Sequence, residues 1–78
     1  DAIDMKDKEA FIAAVVSRMP EQRRKIFIMS RLEHRTNDEI ATLLHIKKKT
    51  VENHLNLALK ELRTALPASL FIFITFFQ

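Results

Sequence analysis

Apolar positions recur along the chain at spacings of three and four, in blocks separated by short polar interruptions. From about Asp7, Phe11, Ala14, Val15 and Arg18 fall on one helical stripe, with Ile12, Val16 and Met19 beside it. Apolar on this much of its circumference, the first helix is expected to be largely buried. It must stop near Arg18, because Met19 precedes Pro20 and that position disfavours the helical region. Pro20 then suits the first position of a second helix, and Glu21 its positive N-terminal end. Ile26, Phe27, Met29 and Leu32 supply a core face for that helix, while Arg23, Arg24, Arg31 and Arg35 are expected near water. Phe27 and Met29 read as packing residues rather than as a binding box.

The next two blocks are more specific. Thr36 followed by Glu39 is a capping box, in which the hydroxyl takes the Glu39 amide and the carboxylate reaches back to the Thr36 amide. Ile40, Leu43 and Leu44 then give one short apolar face, and Ile46 sits in a turn. Val51, Leu55, Ala58, Leu59, Leu62 and Leu66 follow at the spacing of one helix face. The opposite face of that last helix carries Lys49, Asn53, Asn56 and Lys60, with Lys47, Lys48 and Thr50 crowded at its N-terminus. A short helix, a tight turn and a longer helix with a polar, cationic outer face predict a helix-turn-helix. The expected architecture is all-α, a four-helix domain over 1–66 followed by a short apolar tail over 67–78.

Such a pattern suits double-stranded DNA for a direct reason. A recognition helix enters the major groove N-terminus first, so its early residues meet base edges, while its free amides and lysines favour phosphate oxygens. Asn53 offers a donor and an acceptor on one planar group, which matches adenine, and Lys48 or Lys49 can donate to guanine. A lone run of lysines usually marks a solvated helix face; this run coincides with the start of the second helix of a bihelical unit. His54 lies on the flank of that helix, open to either a phosphate contact or a simple surface role.

Charge supports a polyanion partner without proving one. The net charge of +3 is unevenly placed, with +4 in residues 18–35 and +3 in 47–63 against −2 in 1–17 and −2 in 36–46. No glycine occurs among the 78 residues, although three tight interhelical turns are expected and helix C-termini favour one. His34 and His45 stand at two of the places where glycine would be expected, and histidine tolerates the left-handed region better than most residues. That role leaves them poor candidates for metal ligands or bases. With no H-E-x-x-H, no paired nucleophile and no cysteine, neither an enzyme, nor a disulfide, nor a thiolate metal site can be assembled. No cofactor is expected. The acidic N-terminus is not a secretory signal, and a cytoplasmic setting is expected. The chain starts at Asp1 rather than at methionine, and reads as part of a longer protein.

After Pro67 the chain continues A-S-L-F-I-F-I-T-F-F-Q. This run is too short to span a bilayer as a helix, which needs ~20 residues. Its large apolar groups would be sticky in water. The tail is therefore expected to pair with another copy of the chain through residues 68–77, or to lie against another protein. A fold-back onto the first two helices is the competing outcome.

Three blocks, M-P-E-Q-R-R-K-I-F (19–27), T-N-D-E-I-A-T-L-L-H-I (36–46) and K-T-V-E-N-H-L-N-L-A-L-K-E-L-R (49–63), closely resemble region 4 of bacterial sigma factors of the sigma-70 family. The resemblance is strongest to the extracytoplasmic-function group in its Bacteroidetes-like version, and covers about residues 5–65. It implies a domain that recognises the minus-thirty-five promoter element and docks on the β flap of core RNA polymerase during transcription initiation. An anti-sigma protein is a further partner that such a domain can have. An upstream domain would melt the promoter, so this fragment alone is not expected to start transcription. By position, Lys48, Lys49, Thr50 and Asn53 match the family's base-reading places. Lys47, Glu52, Asn56 and Lys60 fall at or near its backbone-contacting places. Three residues depart from the pattern. Lys47 stands where a Ser or Thr cap is common, His45 where Gly is common, and Leu57 where a basic residue is frequent, which removes a phosphate contact there.

The nearest rival is the helix-turn-helix effector domain of a two-component response regulator, which shares the E-I-A and K-T-V-x-x-H-L blocks. That family resembles T-P-R-E-x-E before its second helix and K-L-G at its end. The corresponding pieces here are M-P-E-Q-R-R and E-L-R, which favour sigma. A membrane-surface peptide built around the tail would leave the capping box and the bihelical spacing without a role.

Overall fold

The computed structural model describes the backbone of residues 5–65 and the side chains from Glu9 onward. Four helices follow one another: α1 (Met5–Ser17), α2 (Glu21–Arg31), α3 (Asn37–Leu44) and α4 (Lys48–Ala65). The described residues contain no strand. The expectations for Leu66 and for the tail lie outside the described residues.

Each boundary has a local cause. α1 closes on a tightened last turn, with the Arg18 and Met19 amides donating to the Val15 and Val16 carbonyls at 3.1 and 3.0 Å. Pro20 sits just outside α2 with an extended ψ of 148°, as the flanking residue rather than the expected first helical one. Its carbonyl accepts from the Arg24 amide at 2.9 Å, so proline still leads into the helix, which begins one residue later than expected, at Glu21. At the far end of α2, His34 takes φ 56° and the Arg35 amide returns to the Met29 carbonyl at 3.0 Å.

The capping box of α3 is present in both directions. The Glu39 amide donates to Thr36 Oγ1 at 3.1 Å, and the Thr36 amide donates to Glu39 Oε1 at 2.8 Å. The end of α3 is a left-handed residue, His45, at φ 56° and ψ 45°. Its amide donates to Thr42 and the Ile46 amide to Ala41, at 3.4 and 3.0 Å, which is a Schellman closure. Ile46 and Ala41 join the same apolar cluster, the hydrophobic contact that accompanies this closure.

The core divides into two clusters, and α2 and α4 belong to both. In one, Val16 and Met19 meet Phe27, Ala58 and Leu62, with Ile12, Val15 and Leu59 packed around them. In the other, Ile26, Ile40, Ala41 and Val51 meet, with Met29, Leu44, Ile46 and Leu55 at their margin. Ile26, Ile40, Val51 and Leu62 are the largest fully buried side chains. Burying each is worth about 1.5–3 kcal/mol. α4 touches each of the other three helices. Arg23 of α2 and Glu61 of α4 add a half-buried ion pair at 2.6 Å.

Several expected core positions prove to be exposed. Phe11 is 48% exposed, and Ala14 and Arg18 also face water, so α1 is not largely buried. The face that packs is the neighbouring stripe of Ile12, Val16 and Met19, joined by Val15 from the expected one. α1 packs mainly against α2 and α4, and two such neighbours cannot cover an apolar circumference. Leu32, expected in the core, is 71% exposed because it falls after the last residue of α2. Leu43 is exposed as well, and Ala41 takes its place facing Ile26 and Val51. In the opposite direction, Arg23, Arg24 and Arg31 are half-buried rather than free in water.

Candidate nucleic-acid interface

Three residues, His45 to Lys47, join α3 to α4. Cluster packing of Ile40 and Ala41 against Val51, with Ile46 beneath the turn, fixes how α4 leaves α3. Because Val51, Ala58 and Leu62 point into the core, the residues between them at helical spacing point out. Lys49, Asn53, Asn56 and Lys60 are all exposed, as expected from their pattern. They form one outward face of α4.

The start of α4 has its own chemistry. Lys47 lies just before the helix, and its carbonyl accepts from the Thr50 and Val51 amides at 3.0 and 3.2 Å. A lysine side chain has no acceptor, so it cannot cap the first-turn amides as Ser or Thr would. The first turn of α4 contains no acidic residue either. Unfilled amides, a helix dipole and adjacent ammonium groups together favour an anion there. Lys48 leans back to Asp38 at the first turn of α3, 3.7 Å away, with both groups largely in water. An exposed pair of this kind is worth 0–1 kcal/mol, roughly, and yields readily to a better anion.

The remaining sequence-derived candidates differ in access. Lys47 is exposed, whereas Thr50, Glu52 and His54 are half-buried on the flanks of α4. The Nδ1 of His54 is buried and has no hydrogen-bond partner. Arg31 was not among the candidates, yet it stands out in the structure. Its Nε is buried without a partner, and burial pulls its guanidinium below the ordinary arginine range. In the sequence it is one more arginine on a basic helix, so its environment had no local signal. No group of three or more His, Asp or Glu among the described residues could hold a metal ion. No described helix is long and apolar enough to cross a membrane.

Two helices joined by a three-residue turn, the second packed by one face and polar and cationic on the other, define a helix-turn-helix DNA-binding domain. Residues 10–62 match the family model of sigma-70, region 4, which is more than half of the chain, and the chain belongs to that family. It is thus a sigma-factor domain that binds the minus-thirty-five promoter element and works with RNA polymerase, and not a response-regulator effector. No curated protein and no solved structure matches the chain.

Proposed function

We propose that α4 enters the major groove of the minus-thirty-five element N-terminus first, with Lys48, Lys49, Thr50 and Asn53 at base edges. Lys47, His54, Asn56 and Lys60 lie along the phosphates, and Glu52 reaches the backbone through bridging water, since a carboxylate cannot approach a phosphate directly. The observation that carries this reading is the two-sidedness of α4: Lys49, Asn53, Asn56 and Lys60 are exposed while Val51, Ala58 and Leu62 are buried. Docking on the β flap of core polymerase then brings the enzyme to the promoter. The domain acts by binding alone, in the cytoplasm, as part of an extracytoplasmic-function sigma factor.

Binding isotherms on matched and scrambled promoter DNA, each at two salt concentrations, test the assignments. Asn53→Ala should lose about 1–3 kcal/mol at one base pair and little on scrambled DNA. Lys60→Ala should weaken both DNAs alike and lower the salt slope by roughly one unit. Equal losses on both DNAs for Asn53→Ala would remove Asn53 from base readout.

A further inference from the structure

The helix-turn-helix leaves unexplained an open apolar groove on the other side of the domain. α1 and α2 border a groove of about 480 Å³, lined chiefly by Ile12, Ala13, Val16, Phe27, Ile28 and Leu32. Glu9 and Arg24 are the charged residues in its lining. Ala13 and Leu32 are exposed and Ile28 is half-buried, so among the described residues nothing covers this surface.

We propose that residues 68–77 of the same chain occupy this groove. Three observations converge on that occupant. The first is position. Leu62 of α4 packs in one buried cluster with Val16 and Phe27, two residues of the groove's lining, and Ala65 closes the helix three residues later. The second is reach. Thirteen residues follow Ala65, which span up to about 3.3–3.6 Å each when extended, or about 1.5 Å each as helix. Even as helix, that is a reach of about 20 Å from the end of α4. The third is chemistry. Residues 66–78 carry no charge and include Leu70, Phe71, Ile72, Phe73, Ile74, Phe76 and Phe77. Their apolar groups match a lining of Ile, Val, Phe, Leu and Ala.

Tethering decides between this occupant and a second copy. A segment attached at the groove's edge meets it at an effective concentration in the millimolar range for a short flexible connection. At lower protein concentration the chain's own tail therefore outcompetes another chain's. The outward face of α4 points away from α2, so a tail in this groove leaves Lys49, Asn53, Asn56 and Lys60 accessible.

The chain has no cysteine, so one introduced thiol can carry a spin label at a single place. Thr75→Cys with a nitroxide puts the label in the middle of the apolar run. In the isotopically enriched, labelled full chain at low concentration, amide signals of Ile12, Ala13 and Ile28 should broaden severalfold more than those of Asn53 and Asn56. A mixture of labelled, NMR-silent chain with enriched, unlabelled chain should show no such broadening. Ala13→Trp fills the groove from an exposed position, and should abolish the broadening while circular dichroism stays helical. Broadening in the mixture would identify a second copy as the occupant. Absence of broadening in both samples, or broadening untouched by Ala13→Trp, would overturn the proposal.

Discussion

His45 and His34 show how much a single backbone angle can constrain. Both have φ of 56° in a chain without glycine, and both stand where a helix must reverse direction. A non-glycine residue accepts this conformation at a steric cost, which glycine does not have. His45 is exposed, so His45→Gly should be neutral or stabilising in a thermal melt. A clear drop in Tm would show that the imidazole makes a stabilising contact. Thr36 lies at the other end of α3, where its hydroxyl and Glu39 satisfy two amides. Thr36→Ala should cost ~1 kcal/mol. In a domain of this size that lowers Tm by about 4–8 °C. Both roles were legible from the sequence, since a capping box and a left-handed turn are properties of a few adjacent residues. The burial of Arg31 and of His54 Nδ1 was not, because it depends on what other helices bring alongside.

Among the helices, α4 combines two demands that conflict at its first residue. A Ser or Thr at position 47 would cap the helix, while the lysine that stands there adds charge where DNA phosphates are expected. Lys47→Ser should therefore raise stability by about 0.5–2 kcal/mol in denaturant unfolding. The same change should weaken DNA binding on all sequences and reduce the salt slope by roughly one unit. A variant that gained stability and kept its full salt slope would show that Lys47 touches no phosphate. The face of α4 was readable because its apolar positions persist over five turns, and Val51, Ala58 and Leu62 are indeed buried. α1 was not readable in the same way. Apolar residues surround it, so periodicity could not choose between the stripe through Phe11, Ala14 and Val15 and the stripe through Ile12, Val16 and Met19.

In the whole molecule, stability and function meet along the contact between α2 and α4. Ile26 and Phe27 are adjacent in sequence yet serve different clusters, so α2 ties the helix-turn-helix to α1. Arg23 and Glu61 clamp the same pair of helices at 2.6 Å. Arg23 is mostly covered, and its Nε has no partner, so losing the carboxylate charge leaves a poorly hydrated cation. Glu61→Gln should cost about 1 kcal/mol, at the upper end for exposed pairs because Glu61 itself stays partly in water. A chemical-denaturation midpoint unchanged at low ionic strength would show the pair to be neutral. DNA affinity should survive the change once the variant is folded, since neither residue lies on the outward face of α4.

By itself, the sequence determined the number and order of the helices among the described residues, the turn residues His34 and His45, the capping box, and which face of α4 carries Lys49, Asn53, Asn56 and Lys60. These follow from local rules, because a helix and its caps are built from residues three to five apart. Tertiary structure alone decided which apolar residues the described helices leave uncovered and which arginines are drawn out of water. Phe11, Leu32 and Leu43 are as apolar as Ile12, Ile26 and Ile40, but three neighbouring helices supply only enough surface to cover one set. Burial depends on a partner surface arriving from elsewhere in the chain, and no periodicity within one helix contains that information.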